Sequence, residues 1–146
     1  LKGDDPFVMD AESFYSSFAN TMTEEAAKQA WEQTATNDSR NVLRDCLGED
    51  GKVDVELPHV PMLFIAGEED QIIPYELCEK NAKAYTDEIS FTDHQTFAHR
   101  SHYICNEPGW EEVVNMVSAW IEGKENTSAG NTAITTVEKI KYFTYN

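Results

Sequence analysis

The sequence has few basic residues and no long apolar run. Its 146 residues include 11 Lys and Arg against 27 Asp and Glu, which gives a formal charge of −16. A surface this acidic repels phosphate groups, so we expect neither a nucleic acid nor a membrane as a partner. The longest apolar run, residues 61–66, is far shorter than the roughly 20 residues that span a bilayer. We therefore expect a soluble protein.

The cysteines are too few and too far apart to predict a disulfide framework or a zinc site. There are three, with no Cys-x-x-Cys pair, at Cys46, Cys78 and Cys105. We expect ordinary reduced thiols, a cytoplasmic location, and no metal or organic cofactor. Hydrophobic residues make up 40% of the chain, which is enough to bury a core.

The chain divides into three parts of different character. Residues 1–57 are predicted to form short helices, residues 58–123 alternate between strand and helix, and residues 124–146 form a polar C-terminal extension. Short helices with modest apolar stripes more often cover another surface than fold alone. The first part is therefore expected to cover the second.

Helix start signals recur in the first part. Thr23 precedes Glu24 and Glu25, which place acidic side chains in a first turn. Asn37 and Asp38 are candidate caps of a second short helix. Its predicted apolar side consists of Val42, Leu43, Cys46 and Leu47. A third, partly aromatic helix is suggested upstream by Phe14, Tyr15 and Phe18.

An apolar run marks the first strand of the second part. Residues 62–66 are continuously apolar and are followed by Gly67, a pattern typical of a strand buried on both faces of a parallel sheet. Pro74 occupies a natural first-turn position of the helix that follows. The predicted buried side of that helix is formed by Leu77, Cys78, Ala82, Ala84 and Tyr85.

A second extended segment, a loop and a final helix complete the second part. Ile89, Phe91 and Phe97 mark the extended segment, and residues 98–106 form the loop. Pro108 opens a helix with regularly spaced apolar positions, at Val113, Val117, Trp120 and Ile121. The order strand, helix, strand, loop, helix predicts an α/β class with a parallel sheet and a right-handed crossover.

Asp70 and His102 are the candidate chemical groups. Asp70 follows the first strand, and His102 lies 32 residues later in the loop after the second extended segment. Neighbouring strands lie about 4.8 Å apart, so loops that leave the same edge can bring a carboxylate to an imidazole. Such an Asp orients the His and stabilises the imidazolium that forms when the other ring nitrogen takes a proton. The sequence thus offers two members of a nucleophile-His-acid triad.

Two motifs around these residues resemble parts of the α/β-hydrolase family. The segment PMLFIAGEEDQIIP, residues 61–74, is similar to the family's acid-bearing strand and turn, with its Gly-x-x-Asp-x-x-x-Pro pattern. The segments RSHYI, residues 100–104, and EPGW, residues 107–110, are similar to the histidine loop and the start of the last helix. The resemblance covers residues 60–123 and, more loosely, residues 18–57, where the family often inserts a helical cap.

The resemblance implies the C-terminal portion of an α/β-hydrolase fold, preceded by a helical cap segment. It implies hydrolysis of an ester-like small molecule, with Asp70 as the acid and His102 as the general base. The 146 residues contain no Gly-x-Ser-x-Gly elbow. We therefore expect the nucleophile and oxyanion donors to lie in a missing N-terminal half, without which this chain is inactive. The alternative is a non-catalytic remnant, a truncated or pseudoenzyme chain that acts by binding.

The candidate residues also have simpler interpretations. Asp70 can be a loop carboxylate that caps the next helix, and Glu68 and Glu69 are rival acids. His102 can be an ordinary surface histidine. A metal site is not expected, because no compact ligand spacing occurs among Asp93, His94, His99 and His102. The apolar residues of the first part either line an acyl pocket or simply pack together: Met9, Phe14, Phe18, Met22 and Trp31.

Overall fold

The computed structural model describes residues 5–123, so the extension predicted for residues 124–146 lies outside the described residues. Helices precede and flank a small parallel sheet, which is a mixed α/β arrangement. The elements are α1 (Ala11–Ser13), a π-helical turn (Phe14–Phe18), α2 (Glu24–Thr34), α3 (Arg40–Asp45), a 3-10 turn (Glu49–Gly51), β1 (Met62–Gly67), α4 (Tyr75–Ala84), β2 (Thr92–Phe97) and α5 (Trp110–Ile121).

The predicted start of α2 is confirmed, because the Thr23 hydroxyl accepts a hydrogen bond from the amide of Ala26 at 3.3 Å. The predicted cap of α3 is wrong. Ser39 caps that helix by accepting from the amide of Asn41, while Asp38 accepts from the amide of Ser39 itself. The Asp38 carboxylate is thus held one residue too early to reach the helix.

Three residues predicted for the apolar side of α3, Val42, Cys46 and Leu47, are exposed rather than buried. Val42 is 57% exposed and Leu47 is 85% exposed. The reason is the position of α3 in the fold, since neither hydrophobic cluster of the described residues includes these three side chains. Hydrophobic periodicity therefore predicted the helix correctly but not a partner for it.

The first part of the chain has its own hydrophobic cluster. Phe14, Ala19 and Ala27 are buried at its centre. The Trp31 indole packs against them and donates a hydrogen bond to the Met9 carbonyl at 2.7 Å, which satisfies its one polar group. The remaining members are Tyr15, Phe18, Met22, Ala30 and, from the loop after β2, Tyr103. The cluster therefore joins the helical segment to the second part of the chain.

The two strands pair in parallel, as predicted. The register runs from Met62 opposite Thr92 to Gly67 opposite Phe97. The expectation that β1 is buried on both faces is wrong, because residues 62–65 are only half-buried. Within the described residues β1 has a neighbour on one edge only, so its other side lacks the cover that a larger sheet provides.

A second hydrophobic cluster lies between the sheet and α5. It is centred on Phe97, Ile104, Val113 and Met116. The final helix begins at Trp110, two residues after Pro108, because Gly109 takes the left-handed conformation at its N-terminus with φ of 86°. Ile121 is 63% exposed, so it is not part of the apolar face as predicted.

The helix after β1 also begins slightly later than predicted, because Pro74 is its N-cap rather than a residue of its first turn. Leu77 and Ala84, which were predicted to be buried, are exposed, and Ala82 forms the buried centre of that side. All three cysteines are free thiols. Across residues 5–123, no helix combines the length and the apolar character needed to cross a membrane.

Candidate active site

The structure brings Asp70 and His102 together at one edge of the sheet. The Asp70 Oδ2 atom lies 2.8 Å from His102 Nδ1. The carboxylate is 8% exposed and the imidazole 26% exposed, so the acid is buried while the base still meets solvent. Because a carboxylate oxygen can only accept a hydrogen bond, Nδ1 of His102 is the donor and carries the hydrogen. The other ring nitrogen, Nε2, has no hydrogen-bond partner among residues 5–123.

The second oxygen of Asp70 holds its own turn. Oδ1 accepts hydrogen bonds from the amides of Ile72 at 2.7 Å and Ile73 at 2.9 Å. The simpler interpretation, in which Asp70 caps the next helix, is wrong, because Oδ1 binds amides of the turn before α4 and Pro74 is the N-cap without a side-chain hydrogen bond. Because the turn fixes Oδ1, the side chain presents Oδ2 to the imidazole in a defined orientation.

The loops after the two strands run side by side. The Glu68 amide donates to the Phe97 carbonyl at 2.9 Å, and the Glu69 amide donates to the Arg100 carbonyl at 2.9 Å. Gly67 makes this approach possible, since a Cβ at that position would collide with the carbonyl oxygens of Arg100 and Ser101. The glycine of the Gly-x-x-Asp pattern thus lets the histidine loop lie against the acid loop.

Glu107 is a buried carboxylate that the sequence did not single out. It is 2% exposed. It accepts a hydrogen bond from the Ser101 hydroxyl at 2.8 Å and another from the Thr21 hydroxyl. The Arg100 guanidinium lies 3.8 Å away. This one carboxylate therefore connects the residues just before His102 to the helical segment of the first part.

The helical segment also contacts the imidazole itself. The Phe18 ring meets the His102 ring edge-on, with centroids 4.5 Å apart, and the Phe18 carbonyl accepts from the Tyr103 amide at 2.9 Å. The Asn20 side chain donates to the Glu69 carbonyl at 2.9 Å. No linear pattern indicated these contacts, because they join residues far apart in the chain.

The rival acids point elsewhere. Glu68 and Glu69 are exposed, and Glu69 lies 3.9 Å from Nδ1 of the exposed His99. Among residues 5–123, Glu68, Glu69 and His99 form the one group whose potential metal ligands lie within 4.8 Å of one another. Asp93 instead accepts from the Trp120 indole at 3.0 Å. A cluster of exposed acidic groups does not define a metal centre, and we assign no ion to it.

The thiol of Cys78 lies near the same edge of the sheet. Its thiol lies on α4 and donates to the Ile65 carbonyl of β1 at 3.5 Å. Burial raises the pKa of this thiol, and the negative charge of Asp70 raises it further. A thiol whose pKa is raised is a poor nucleophile, so Cys78 is not a candidate for covalent catalysis.

An apolar pocket lies between the helical segment and Tyr103, the residue that follows His102. Its volume is about 300 Å³, and its walls include residues 34–36 together with Val8, Met9, Phe14, Phe18, Trp31 and Tyr103. All five residues with the two alternative interpretations pack in the hydrophobic cluster of the helical segment, as the simpler interpretation expected. Four of them, all but Met22, also line this pocket.

A second His-Asp pair, which sequence reasoning missed, lies at the opposite end of the strands. His59 Nε2 is 3.2 Å from Asp87 Oδ2, with the side chains 13% and 6% exposed. The other ring nitrogen, Nδ1, lies 2.6 Å from the Val60 carbonyl. Hydrogen bonds from Ser90 and Ile89 outweigh the effect of burial and lower the pKa of Asp87. Both nitrogens of His59 are engaged within the protein.

Comparison of the chain with protein-family models, with curated proteins and with solved structures finds no match. The geometry of the site therefore carries the functional assignment. An imidazole held at Nδ1 by a carboxylate, with Nε2 available, can take a proton from a hydroxyl or thiol and return it to a leaving group. Of the two His-Asp pairs, the pair formed by Asp70 and His102 has that arrangement.

Proposed function

We propose that this chain is the acid- and base-bearing C-terminal part of an α/β-hydrolase that acts on an ester-like small molecule. The supporting observation is the 2.8 Å contact of Asp70 with His102 Nδ1. The two residues follow adjoining parallel strands, and in open α/β sheets ligands collect at the carboxyl ends of the strands. The motif resemblance around both residues points the same way.

In the proposed reaction, His102 Nε2 takes the proton of a nucleophilic hydroxyl as the oxygen attacks the ester carbonyl. The imidazolium then gives that proton to the departing alcohol, which leaves an acyl-enzyme. In the second half, Nε2 takes a proton from water, and the acid product and free nucleophile are formed. Asp70 stabilises the imidazolium in both halves through Nδ1 and is never itself protonated.

The nucleophile is proposed to come from a segment outside these 146 residues. The nearest serine in sequence, Ser101, is fully buried and donates its hydroxyl hydrogen to Glu107 at 2.8 Å, so it cannot attack a substrate. Within residues 5–123, β1 pairs on one edge only. Its other edge is open to a further parallel strand of the proposed missing segment.

The test starts with the coding sequence upstream of Leu1, in which we expect Gly-x-Ser-x-Gly after an apolar strand. The polypeptide that includes it should hydrolyse p-nitrophenyl acetate and react with a fluorophosphonate probe. His102→Ala should lower turnover on the order of 10³- to 10⁴-fold. His99→Ala is the matched control, since that side chain lies in the same loop and is 88% exposed. Equal turnover in the two variants would remove His102 from the mechanism.

The second candidate function is a non-catalytic module that acts by binding. The absence of a nucleophile elbow from these 146 residues favours it. In that case the upstream coding sequence holds no elbow, and the fluorophosphonate probe labels no residue of the complete polypeptide. Labelling that is lost in the serine variant of the elbow would exclude this alternative.

A further inference from the structure

We propose that the pocket of the helical segment binds an uncharged aliphatic group of the substrate, such as the acyl chain of a short neutral ester. This inference rests on the proposed function and names the substrate class of the same site. It starts from position: Phe18 is both a wall of the pocket and the ring that meets His102 edge-on at 4.5 Å. Tyr103, the neighbour of His102 in sequence, is another wall.

The chemistry of the walls selects for an uncharged ligand group. Among residues 5–123, the lining contains no Asp, Glu, Lys, Arg or His, although the whole chain carries a formal charge of −16. Three polar groups of the walls are already bonded. The Trp31 indole donates to the Met9 carbonyl and the Thr34 hydroxyl to the Ala30 carbonyl, both at 2.7 Å, and the Tyr103 hydroxyl accepts from the Asn106 side chain. The Thr36 hydroxyl is a further polar group of the walls, so a charged group placed here would lose its hydration and gain at most one neutral hydroxyl as a partner.

The size of the pocket limits the length of the group. A volume of about 300 Å³ is at the lower end of the range for small-molecule sites. It corresponds to roughly ten water molecules at about 30 Å³ each. A short acyl chain fits this space.

The experiment measures binding without turnover, on the chain as it stands. The protein is labelled with ¹³C at its methionine methyl groups and titrated with ethyl acetate, ethyl butanoate and ethyl hexanoate. Met9 lines the pocket, whereas Met116 lies in the cluster beside the sheet. We expect the Met9 signal to move and the Met116 signal to stay. Because each buried methylene strengthens apolar transfer, the Kd should fall about fourfold per added methylene.

A cavity-filling variant provides the mutational arm. Ala35 lines the pocket at the end of α2, so Ala35→Leu should weaken ethyl hexanoate binding about tenfold by occupying the space. The matched control is Ala84→Leu, at an exposed position that ends α4, and it should bind like the unaltered chain. An unchanged Met116 signal in both variants reports that the fold is retained.

Three results would overturn the inference. One is a Kd that does not depend on acyl length, and another is unchanged binding in Ala35→Leu. The third is a Met9 signal that moves when residues 124–146 are removed but not when ester is added, which would assign the pocket to the chain's own C-terminal segment. The proposed function is tested separately, by hydrolysis. Hydrolysis that is unchanged in His102→Ala refutes the proposed function even if esters bind to the pocket. Hydrolysis that depends on His102, without a shift of the Met9 signal on ester addition, refutes only the pocket assignment.

Discussion

Two His-Asp pairs occupy opposite ends of the same two strands. They differ in whether the imidazole keeps a ring nitrogen without a hydrogen-bond partner among the described residues. At the carboxyl ends, Asp70 holds His102 Nδ1 at 2.8 Å, and within the described residues Nε2 has no partner. At the amino ends, Asp87 lies 3.2 Å from His59 Nε2 while Nδ1 faces the Val60 carbonyl at 2.6 Å. Residue type and contact distance alone would not separate these pairs.

The difference lies in the elements that surround each pair. His59 is bonded through both its backbone and its ring. Its amide donates to the Ser90 hydroxyl at 2.7 Å, and its Nε2 lies 3.3 Å from the Thr92 hydroxyl. These contacts join the segment before β1 to the segment before β2, which is a structural role. His102 instead contacts Phe18, a wall of the pocket, and its imidazole is 26% exposed. An imidazole that keeps one nitrogen free and meets solvent is available for proton transfer, whereas an imidazole with both nitrogens bonded stabilises the fold.

The strongest test of this comparison replaces each aspartate in turn. Asp70→Asn keeps an oxygen for the Ile72 and Ile73 amides, but it faces His102 Nδ1 with an amide donor and so favours the wrong tautomer. In the polypeptide that carries the nucleophile, we expect kcat to fall on the order of 10⁴-fold. Asp87→Asn should leave kcat per folded molecule unchanged. Comparable losses in the two variants, measured on ester turnover, would contradict the separation of roles.

The next largest effect concerns the carboxylate that holds the histidine loop. Glu107→Ala leaves the buried hydroxyl of Ser101 and the guanidinium of Arg100 without this partner. Arg100 keeps Glu112 as a partner, so the free energy of unfolding should fall by about 1–3 kcal/mol, the cost of leaving a buried hydrogen-bonding group unsatisfied. Glu107→Gln should lose less, because its amide oxygen can still accept from Ser101.

Glu112→Ala is the control for this variant, measured by urea denaturation. Glu112 binds the same guanidinium at 2.9 Å, but its side chain is 66% exposed. Exposed ion pairs contribute about 0–1 kcal/mol, so the change should be small. A loss in Glu112→Ala as large as that in Glu107→Ala would show that the position of Glu107 between the loop and the helical segment is unimportant.

The contribution of the Asp87–His59 pair should be measurable as a change in the free energy of unfolding at acid pH. Hydrogen bonds from Ser90 and Ile89, together with the nearby His59, hold the pKa of Asp87 below its ordinary value of 3.8 in spite of burial. A carboxylate whose pKa is lowered in the folded state stabilises the protein at pH values above 3.8. This contribution is lost as the pH falls below 3.8 and through the lowered pKa.

Asp87→Asn removes this contribution, so its free energy of unfolding should decline less steeply than that of the unaltered chain as the pH falls below about 4. Urea unfolding curves at several pH values measure the two slopes. Parallel slopes would mean that Asp87 is equally well stabilised in the unfolded chain, and the structural role given to this pair would fail.

The parallel pairing and the meeting of Asp70 with His102 were predictable because both depend on local patterns. An apolar run closed by Gly67 predicts β1, and loops that leave the same edge of a parallel sheet lie close together. The motif resemblance, which places the acid at the third position after the glycine, also favours Asp70 over Glu68. These signals are contained within a few residues of each element.

The surroundings of the site were not predictable, because they depend on contacts distant in sequence. Nothing in the spacing of Phe18 indicates that its ring meets His102, and nothing around Thr21 indicates Glu107 as its acceptor. Hydrophobic periodicity likewise predicted α3 but not that Val42 stays 57% exposed. Tertiary packing decides such contacts, and a single sequence does not record it.

The smallest expected effect uses Cys78 as a reporter of the charge at the carboxyl-end pair. The pKa of this thiol is raised by burial and then by the negative charge of Asp70. Asp70→Asn removes that charge, so more Cys78 is thiolate at a given pH, and its alkylation by iodoacetamide should be faster. Asp87→Asn, at the far end of the strands, should leave the rate unchanged.

The measurement requires Cys46→Ser and Cys105→Ser in the background, because both of those thiols are exposed and would dominate the reaction. A faster rate in Asp70→Asn alone means that Asp70 is ionised in the folded chain and close enough to act on its neighbours. That is the condition under which it can stabilise an imidazolium at His102. Equal rates in both variants would mean that the carboxyl-end pair lacks the negative charge on which its proposed role depends.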